Sequence, residues 1–279
     1  MWKVTGASAV GTTHEVIGRA CDDASAWSTE ADVTCLAVAD GAGSRPLSSR
    51  GSALAVERAV SVASACAREP GASDPAAWLR MVFSDVHEQL GALASEQNQV
   101  PDDYATTLAI VILTRDLVCI GQVGDTIVVA GREGAYETVA PSPRAEYVNE
   151  TFFVTEERAL DLARLTILPA AGIDSVFLST DGLRYKILDD LATAVPFVPF
   201  FDDVAAYVRS PDATADAVQR FLARLRDDQS GDDKTLVAAA RIRPDDIQHT
   251  RQPGGQTTER VATDQTAAER AATAPAGRA

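Results

Sequence analysis

Short apolar stretches rich in β-branched residues recur along the chain, and two of them are separated by only two residues. Residues 107–114 and 117–122 flank Arg115 and Asp116. Such a short connection makes them antiparallel neighbours, because parallel strands need a long crossover. The remaining candidate strands are residues 3–8, 34–39, 126–130, 151–154, 175–180 and 235–242.

Long helical stretches lie between the second and third candidate strands. Apolar residues recur at helical spacing over residues 48–68 and again over residues 75–97. A later helical region, residues 183–226, is interrupted by prolines. Many antiparallel strands combined with a few long helices predict a layered α+β domain.

The charge and the cysteines restrict the partners and the compartment. A formal net charge of −15 disfavours nucleic acid, because an acidic surface repels a phosphate backbone. The N-terminal sequence MWKVTGASAVGTTHE lacks the regions of a signal peptide, and no apolar run approaches the roughly 20 residues that span a bilayer. The cysteines are scattered, without a C-x-x-C pair. We therefore expect a cytoplasmic protein that binds neither membrane nor nucleic acid.

The composition changes near residue 244. From there to residue 279 the chain has almost no large apolar side chains, so it cannot bury enough surface to offset the entropy of ordering. We expect a folded domain over residues 1–243 and a disordered low-complexity tail over residues 244–279.

Several apolar stretches run directly into an aspartate. They are LAVADGAGS at Asp40, CIGQVGDT at Asp125 and VFLSTDGL at Asp181. Asp23 in ACDDASAW and Asp232 in QSGDDKTLVAAA also adjoin apolar segments. Asp-Gly after a strand is a common tight turn, so each site alone has that structural interpretation. Strand ends of one layered sheet can converge, however, and converging carboxylates repel each other unless a cation lies between them.

Oxygen ligands without histidine clusters favour Mg²⁺, Mn²⁺ or Ca²⁺ over zinc or copper. Gly41 follows Asp40, and the carbonyl of a residue without a side chain can approach a metal ion directly. Two such ions about 3.5–4 Å apart can activate a bridging water and neutralise phosphoryl oxygens. Because water attacks, this route requires no protein nucleophile, and the chain contains no nucleophile elbow, C-x5-R thiol site or P-loop.

Six motifs, in this order, resemble the metal-dependent protein phosphatase 2C family of serine/threonine phosphatases. They are GTTHEVIGRACDDA, VADGAGS, ATTLAIVIL, VGDT, FLSTDGL and GDDKTLVAA, spread over about the first 243 residues. The stretch with His14, Cys21 and Asp23, together with EYVNETFF at residues 146–153, is most similar to a bacterial branch. The resemblance implies an α+β fold, a four-layer α-β-β-α sandwich in which helices flank two antiparallel sheets. Metal ions would lie in a cleft at one edge.

The resemblance also implies Mg²⁺ or Mn²⁺ as cofactor and assigns the ligands. Asp40 would bridge two ions, with the Gly41 carbonyl on one of them. Asp181 and Asp232 would complete the shell of the other ion. Asp23 would bind a metal or orient a metal-bound water.

Some motifs depart from the family pattern. The family's Gly-Asp-Ser-Arg, associated with a weaker third metal ion, reads GDTI here, so Asp125 is present and the arginine is missing. The usual Asn-Glu-Asp reads CDD at residues 21–23. Asp233 stands where many members have Asn, and we interpret it as a neighbour of the ligands.

The group that binds the substrate phosphate is the least defined part of the site. Many family members use an arginine near the N-terminus, and the candidates here are His14 and Arg19, neither of which matches the spacing. The alternatives are a structural histidine and a solvated arginine. Cys21 is interpreted as a small core residue, with a redox-sensitive thiol as the alternative.

One aromatic group has two interpretations. It is predicted to form the core of a small helical subdomain, and the alternative is a flap that gates the substrate. Its members are Phe197, Phe200, Phe201 and Tyr207.

The predicted activity is hydrolysis of phosphoserine and phosphothreonine in proteins. The expected partners are phosphorylated proteins, in particular a cognate serine/threonine kinase or its targets. A catalytically inactive adaptor and a phosphatase of a small phosphate ester are the alternatives.

Overall fold

A computed structural model of the protein describes residues 1–69, 74–139, 151–225 and 229–242. The strands are β1 (Trp2–Ala9), β2 (Ala24–Glu30), β3 (Val33–Ala39), β4 (Leu108–Leu113), β5 (Leu117–Val123), β6 (Ile127–Arg132), β7 (Ala135–Thr138), β8 (Arg164–Pro169), β9 (Ser175–Ser179), β10 (Leu188–Asp190), β11 (Val195–Pro196) and β12 (Lys234–Arg241). The helices are α1 (Thr12–Ile17), α2 (Ser48–Arg68), α3 (Pro75–Glu96), α4 (Ala159–Leu162), α5 (Arg184–Ile187), α6 (Val198–Arg209) and α7 (Ala215–Arg224). Short 3₁₀ turns cover Pro101–Tyr104 and Asp181–Leu183.

The long strands form two five-stranded sheets. Sheet I has the strand order β1-β12-β9-β6-β7, and sheet II has the order β2-β3-β4-β5-β8. Neighbouring strands in both sheets are antiparallel. β10 and β11 form a separate two-stranded ribbon.

Strand β3 shows how the layers pack. Its residues Cys35 and Ala37 point towards α2 and α3, whereas Leu36 and Val38 point into the space between the sheets. Because both faces are buried, β3 is buried along its whole length and apolar except for Thr34, rather than alternating between apolar and polar residues. Helices α6 and α7 cover the outer face of sheet I. The predicted four-layer α-β-β-α sandwich is confirmed.

The predicted strand at residues 151–154 is wrong. This segment is irregular, although Val154 is buried and donates its N–H to the carbonyl of Thr106 at 2.9 Å. The edge strands β2, β7 and β8 were not predicted. Their residues are only partly buried, so they lack the continuous apolar signal of the central strands.

The helix predictions hold for α2 and, to within a residue at its end, for α3. The predicted region 183–226 divides into α5, the β10–β11 ribbon, α6 and α7, with Pro199 in the first turn of α6. The structure describes no helix long and apolar enough to cross a membrane. Residue 226, residues 146–150 of the EYVNETFF motif and the predicted tail lie outside the described residues.

The aromatic group belongs to the core between α6 and sheet I. Phe200 and Phe201 are buried, and the ring centroids of Phe201 and Phe177 on β9 are 5.0 Å apart in an edge-to-face contact. The interpretation as a core is therefore confirmed, but this core belongs to the outer layer of the sandwich and not to a separate subdomain.

Candidate active site

Strand ends bring five aspartates to one edge of the sandwich. In sheet II, the end of β3 lies beside the start of β2, which places Asp40 near Asp23. In sheet I, the end of β9 lies between the starts of β12 and β6, which gathers Asp181, Asp232 and Asp125. Residues far apart in the sequence therefore share one site.

Asp40 lies at the centre of this group. Burial raises the pKa of its carboxyl well above the ordinary value, and the negative charges of Asp23, Asp181, Asp232 and Asp125 raise it further. The side chains of Asp40 and Asp181 are also within hydrogen-bonding reach of each other. These carboxyl groups can ionise together only when a cation lies between them.

Asp23 is held by threonines from sheet I. Its Oδ2 atom accepts hydrogen bonds from Oγ1 of Thr180 at 2.7 Å and Oγ1 of Thr235 at 2.8 Å. Its Oδ1 atom is buried and has no hydrogen-bond partner in the described part of the chain. Burial raises the pKa of Asp23 to about 8, although the two threonine hydrogen bonds lower it. One oxygen is thus fixed, and the other is available to a ligand.

Asp181 and Asp125 have additional polar neighbours. Burial and the charges of Asp125 and Asp232 raise the pKa of Asp181 to about 6, while Arg184 opposes this effect. Nη1 of Arg184 lies 3.7 Å from Oδ2 of Asp181. Thr151 donates a hydrogen bond from Oγ1 to Oδ2 of Asp125 at 3.3 Å. The two carboxylates remain part of the same electrostatic group.

The start of β4 fixes the backbone at Asp40 and Gly41. The N–H of Asp40 donates to Oγ1 of Thr107, and the carbonyl of Asp40 accepts from the N–H of Thr107 and Oγ1 of Thr106, each at 2.9 Å. A Cβ atom at Gly41 would lie 2.6 Å from the carbonyl oxygen of Asp22. Glycine is therefore required at this position by close packing of the backbone.

Asp233 binds three groups from the N-terminal segment. Oδ1 accepts from the N–H of Gly11 at 2.7 Å, and Oδ2 accepts from the N–H of Asp22 at 2.5 Å. Oδ2 also lies 3.0 Å from Nδ1 of His14. His14 is buried, and its Nε2 is 3.9 Å from Oδ2 of Asp22. These contacts attach α1 and the CDD segment to the start of β12.

Arg19 is engaged within the protein. Its Nη2 lies 2.7 Å from Oδ2 of Asp22 and 2.9 Å from the carbonyl oxygen of Arg45, to which it donates. It also donates to the carbonyl of Gly43 and, at 3.3 Å, to Oγ of Ser48. This arrangement favours a structural role over a free phosphate-binding guanidinium.

His14, Asp22 and Asp233 form a second group of ligand type. One potential ligand atom from each lies within 4.8 Å of the others. Both oxygens of Asp233 already accept hydrogen bonds, and Arg19 neutralises Asp22. The geometry therefore favours a hydrogen-bonded support beside the five aspartates.

The five-aspartate group fits hard divalent cations better than zinc or copper. It offers carboxylate oxygens, and a free Oδ1 on the buried Asp23. Carboxylate oxygens are the ligands that Mg²⁺ and Mn²⁺ prefer. The mutual repulsion that raises the pKa of Asp40 is the electrostatic condition that a bound cation relieves.

Comparisons of the sequence with known proteins identify its family. A sequence model described as protein phosphatase 2C matches residues 10–262. Serine/threonine-protein phosphatase 3 of Escherichia coli (strain K12) is 32% identical over 251 residues, which cover 85% of this chain and 98% of that protein. The chain belongs to the protein phosphatase 2C family. The predicted family and the enzyme class, a phosphoprotein phosphatase, are confirmed, and metal binding is typical of this family.

Solved structures agree on the fold of this protein phosphatase 2C member. Stp1 of Staphylococcus aureus, a serine/threonine phosphatase, superimposes with a TM-score of 0.60 at 18% identity, covering 86% of this chain and 95% of that one. PppA of Pseudomonas aeruginosa, described as a regulatory component of T6SS, gives a TM-score of 0.57 at 22% identity, covering 86% and 97%.

The candidate site contains residues that the motifs did not single out. Thr180 and Thr235 orient Asp23, and Thr106 and Thr107 hold the backbone of Asp40. Thr180 precedes Asp181, and the other three threonines lie just before β4 or at the second position of β12. Threonine is common in and around strands, so only the contacts reveal their role.

Proposed function

We propose that this protein phosphatase 2C member is a Mg²⁺- or Mn²⁺-dependent hydrolase of phosphoserine and phosphothreonine in proteins. The observation that carries the proposal is the convergence of four carboxylates on Asp40. The named activity of the Escherichia coli relative supports the serine/threonine specificity. Cytoplasmic location and a cognate kinase as partner remain predictions.

The metal ligands in this proposal are the carboxylates of Asp23, Asp40, Asp125, Asp181 and Asp232 and the carbonyl of Gly41. When bound, two divalent ions would neutralise the phosphoryl oxygens and acidify the attacking water. The protein contributes the rigid placement of these ligands. Thr180 and Thr235 leave only Oδ1 of Asp23 free, which defines the direction in which this carboxylate acts.

His14 is the proposed contact to the substrate. A carboxylate can only accept a hydrogen bond, so Nδ1 of His14 carries the proton that is shared with Asp233. Nε2 then faces the loop at Gly43, where a Cβ atom would lie 3.9 Å away. In the imidazolium form of His14 both ring nitrogens carry protons, so Nε2 can then donate a hydrogen bond to a phosphoryl oxygen or give its proton to the leaving group. Arg19 would act indirectly, by fixing Asp22 and the loop that contains Gly43.

Phosphate release from phosphoserine and phosphothreonine peptides tests the proposal. We expect turnover with Mn²⁺ or Mg²⁺ and none in excess EDTA. Phosphotyrosine peptides and phosphorylated metabolites, assayed at equal metal loading, should be poorer substrates. Preference for the metabolites would contradict the protein specificity, and an absence of turnover with Mn²⁺ demonstrably bound would indicate an inactive adaptor.

A further inference from the structure

The turn that carries Asp125 is held from both sides by polar side chains, the buried Gln122 and the partly buried Arg164. Gly124 has a φ angle of +99°, and its carbonyl oxygen accepts a hydrogen bond from Nη2 of Arg164 at 2.8 Å. Arg164 begins β8 and pairs with Gln122 near the end of β5. Gln122 donates from Nε2 to the carbonyl of Thr126 at 2.9 Å. Two adjacent strands thus fix the backbone on either side of Asp125.

These side chains lie in the space between the sheets, beneath the acidic group. Ile120 of β5 belongs to the core between the sheets, and Gln122 continues the same alternation. Gln122 is 1% exposed and Thr126 is 3% exposed. Oε1 of Gln122, Oγ1 of Thr126 and Nε of Arg164 are buried without a hydrogen-bond partner in the described ranges. Such atoms destabilise a fold, so their presence here points to a role in the site.

Arg164 brings a positive charge close to Asp125. Burial lowers the pKa of Arg164, and the charge of Asp125 raises it. A guanidinium keeps its proton at neutral pH despite such burial. The charge therefore attracts the carboxylate of Asp125 and repels any cation bound to it.

We propose that Arg164 is a positioning residue for Asp125. Arg164 fixes the backbone of the turn, and its charge weakens the binding of the cation that Asp125 holds. Position 127, directly after this turn, is isoleucine and not the arginine of the family pattern Gly-Asp-Ser-Arg. Arg164 supplies a guanidinium to the same turn from another strand. The inference rests on the proposed metal site.

Calorimetric titration of the full chain with Mn²⁺ tests the inference. Arg164→Gln removes the charge but keeps an N–H donor, whereas Arg164→Lys keeps the charge. We expect the Asp125-dependent ion to bind roughly three- to tenfold more tightly to Arg164→Gln, because a nearby repulsive charge is removed. Arg164→Lys should stay within about twofold of the wild type, since its charge is retained. Arg80→Gln removes the same charge from an exposed position on α3 and should leave the titration unchanged.

Asp125→Asn identifies the binding step that depends on Asp125. In that background, Arg164→Gln should have no further effect on the remaining titration. A shift in that background, an equal effect of Gln and Lys at position 164, or no tightening in Arg164→Gln would overturn the proposal. If circular dichroism shows that Arg164→Gln does not fold, Arg164→Lys decides, and a change beyond about threefold counts against a role for the charge. A wild-type chain that binds no Mn²⁺ would instead refute the proposed metal site.

Discussion

Oδ2 of Asp233 lies 3.0 Å from Nδ1 of His14, so the carboxylate that follows the predicted ligand Asp232 fixes the direction of the imidazole. The same oxygen accepts the N–H of Asp22. Because Nδ1 is occupied, Nε2 is the nitrogen that can act on a substrate. Asp233 thus links His14, the proposed substrate contact, to the strand that follows Asp232, a proposed metal ligand.

Replacement of His14 by Asn should lower kcat/KM for a phosphopeptide by about a hundredfold, because a proton donor is lost. Asp233→Asn keeps one acceptor oxygen and should cost less. With p-nitrophenyl phosphate the His14→Asn loss should be smaller, since that leaving group needs little protonation. Wild-type kcat/KM for the phosphopeptide in His14→Asn would leave His14 as a structural residue.

Asp40→Asn should reduce kcat by about a thousandfold or more, because the central ligand contributes several kcal/mol of charge stabilisation through the ions. Mn²⁺ should also lose most of its effect on the melting temperature of this variant. The matched control is Asp32→Asn, because Asp32 is exposed and directly precedes β3, whereas Asp40 directly follows it. Retained turnover in Asp40→Asn would remove Asp40 from the centre of the site.

The metal-free protein should lose stability as the pH rises. The pKa of Asp23 is about 8 and that of Asp181 about 6 in the folded chain, against an ordinary value of 3.8. The folded state therefore binds more protons than the unfolded state. The stabilisation that these protons give is complete below about pH 4 and is lost as the pH rises through 6 and 8. Each group contributes up to about 1.4 kcal/mol per pH unit between its two pKa values.

Melting temperatures in EDTA between pH 5 and 8.5 measure this effect. We expect them to fall with pH, and the upper part of the slope to disappear in Asp23→Asn. Saturating Mn²⁺ should flatten the slope, because the cation replaces the protons. A melting temperature in EDTA that is constant or rises with pH would show that the carboxylates are not coupled in this way.

Two helical glycines should respond in opposite ways to alanine. A Cβ at Gly51 of α2 would lie 2.1 Å from the carbonyl oxygen of Tyr104, whereas a Cβ at Gly91 of α3 meets nothing within 4 Å. Gly51→Ala should therefore destabilise the protein by about 1–3 kcal/mol, and Gly91→Ala should stabilise it by about 0.5–1 kcal/mol. Urea denaturation checks both, and equal effects would contradict the close packing of α2 on residue 104.

Removal of residues 244–279 should leave the melting temperature and the activity on a small phosphate ester nearly unchanged. β12 ends at Arg241; it pairs with β1 along its whole length and with β9 from Leu236 to Ala240. The N–H of Ile242 donates to the carbonyl of Met1. All the described strands of sheet I therefore lie before the deleted segment. The family match extends to residue 262, so a marked loss of stability would assign residues 244–262 to the folded domain.

The central strands were predictable because they are continuous buried stretches, and the long helices because their apolar residues recur at helical spacing. β3, β4 and β9 are buried along their whole length, and apolar residues recur at helical spacing in α2 and α3. Strand β8 was missed because it lies at the edge of sheet II and its side chains are only partly buried. Its sequence therefore lacks a continuous apolar signal. The apolar run at residues 151–154 was mistaken for a strand because buried loop segments and strands share the same composition.

The sequence by itself predicted the family and named the candidate aspartates, since strand–aspartate motifs in a fixed order are local properties of the chain. Only the tertiary structure decided that five aspartates meet, because convergence depends on the register of strands that are distant in sequence. It also separated Arg19, whose guanidinium is engaged with Asp22, from Arg164, which reaches the turn of Asp125. Nothing in the local sequence distinguishes these two arginines; their partners come from other parts of the fold.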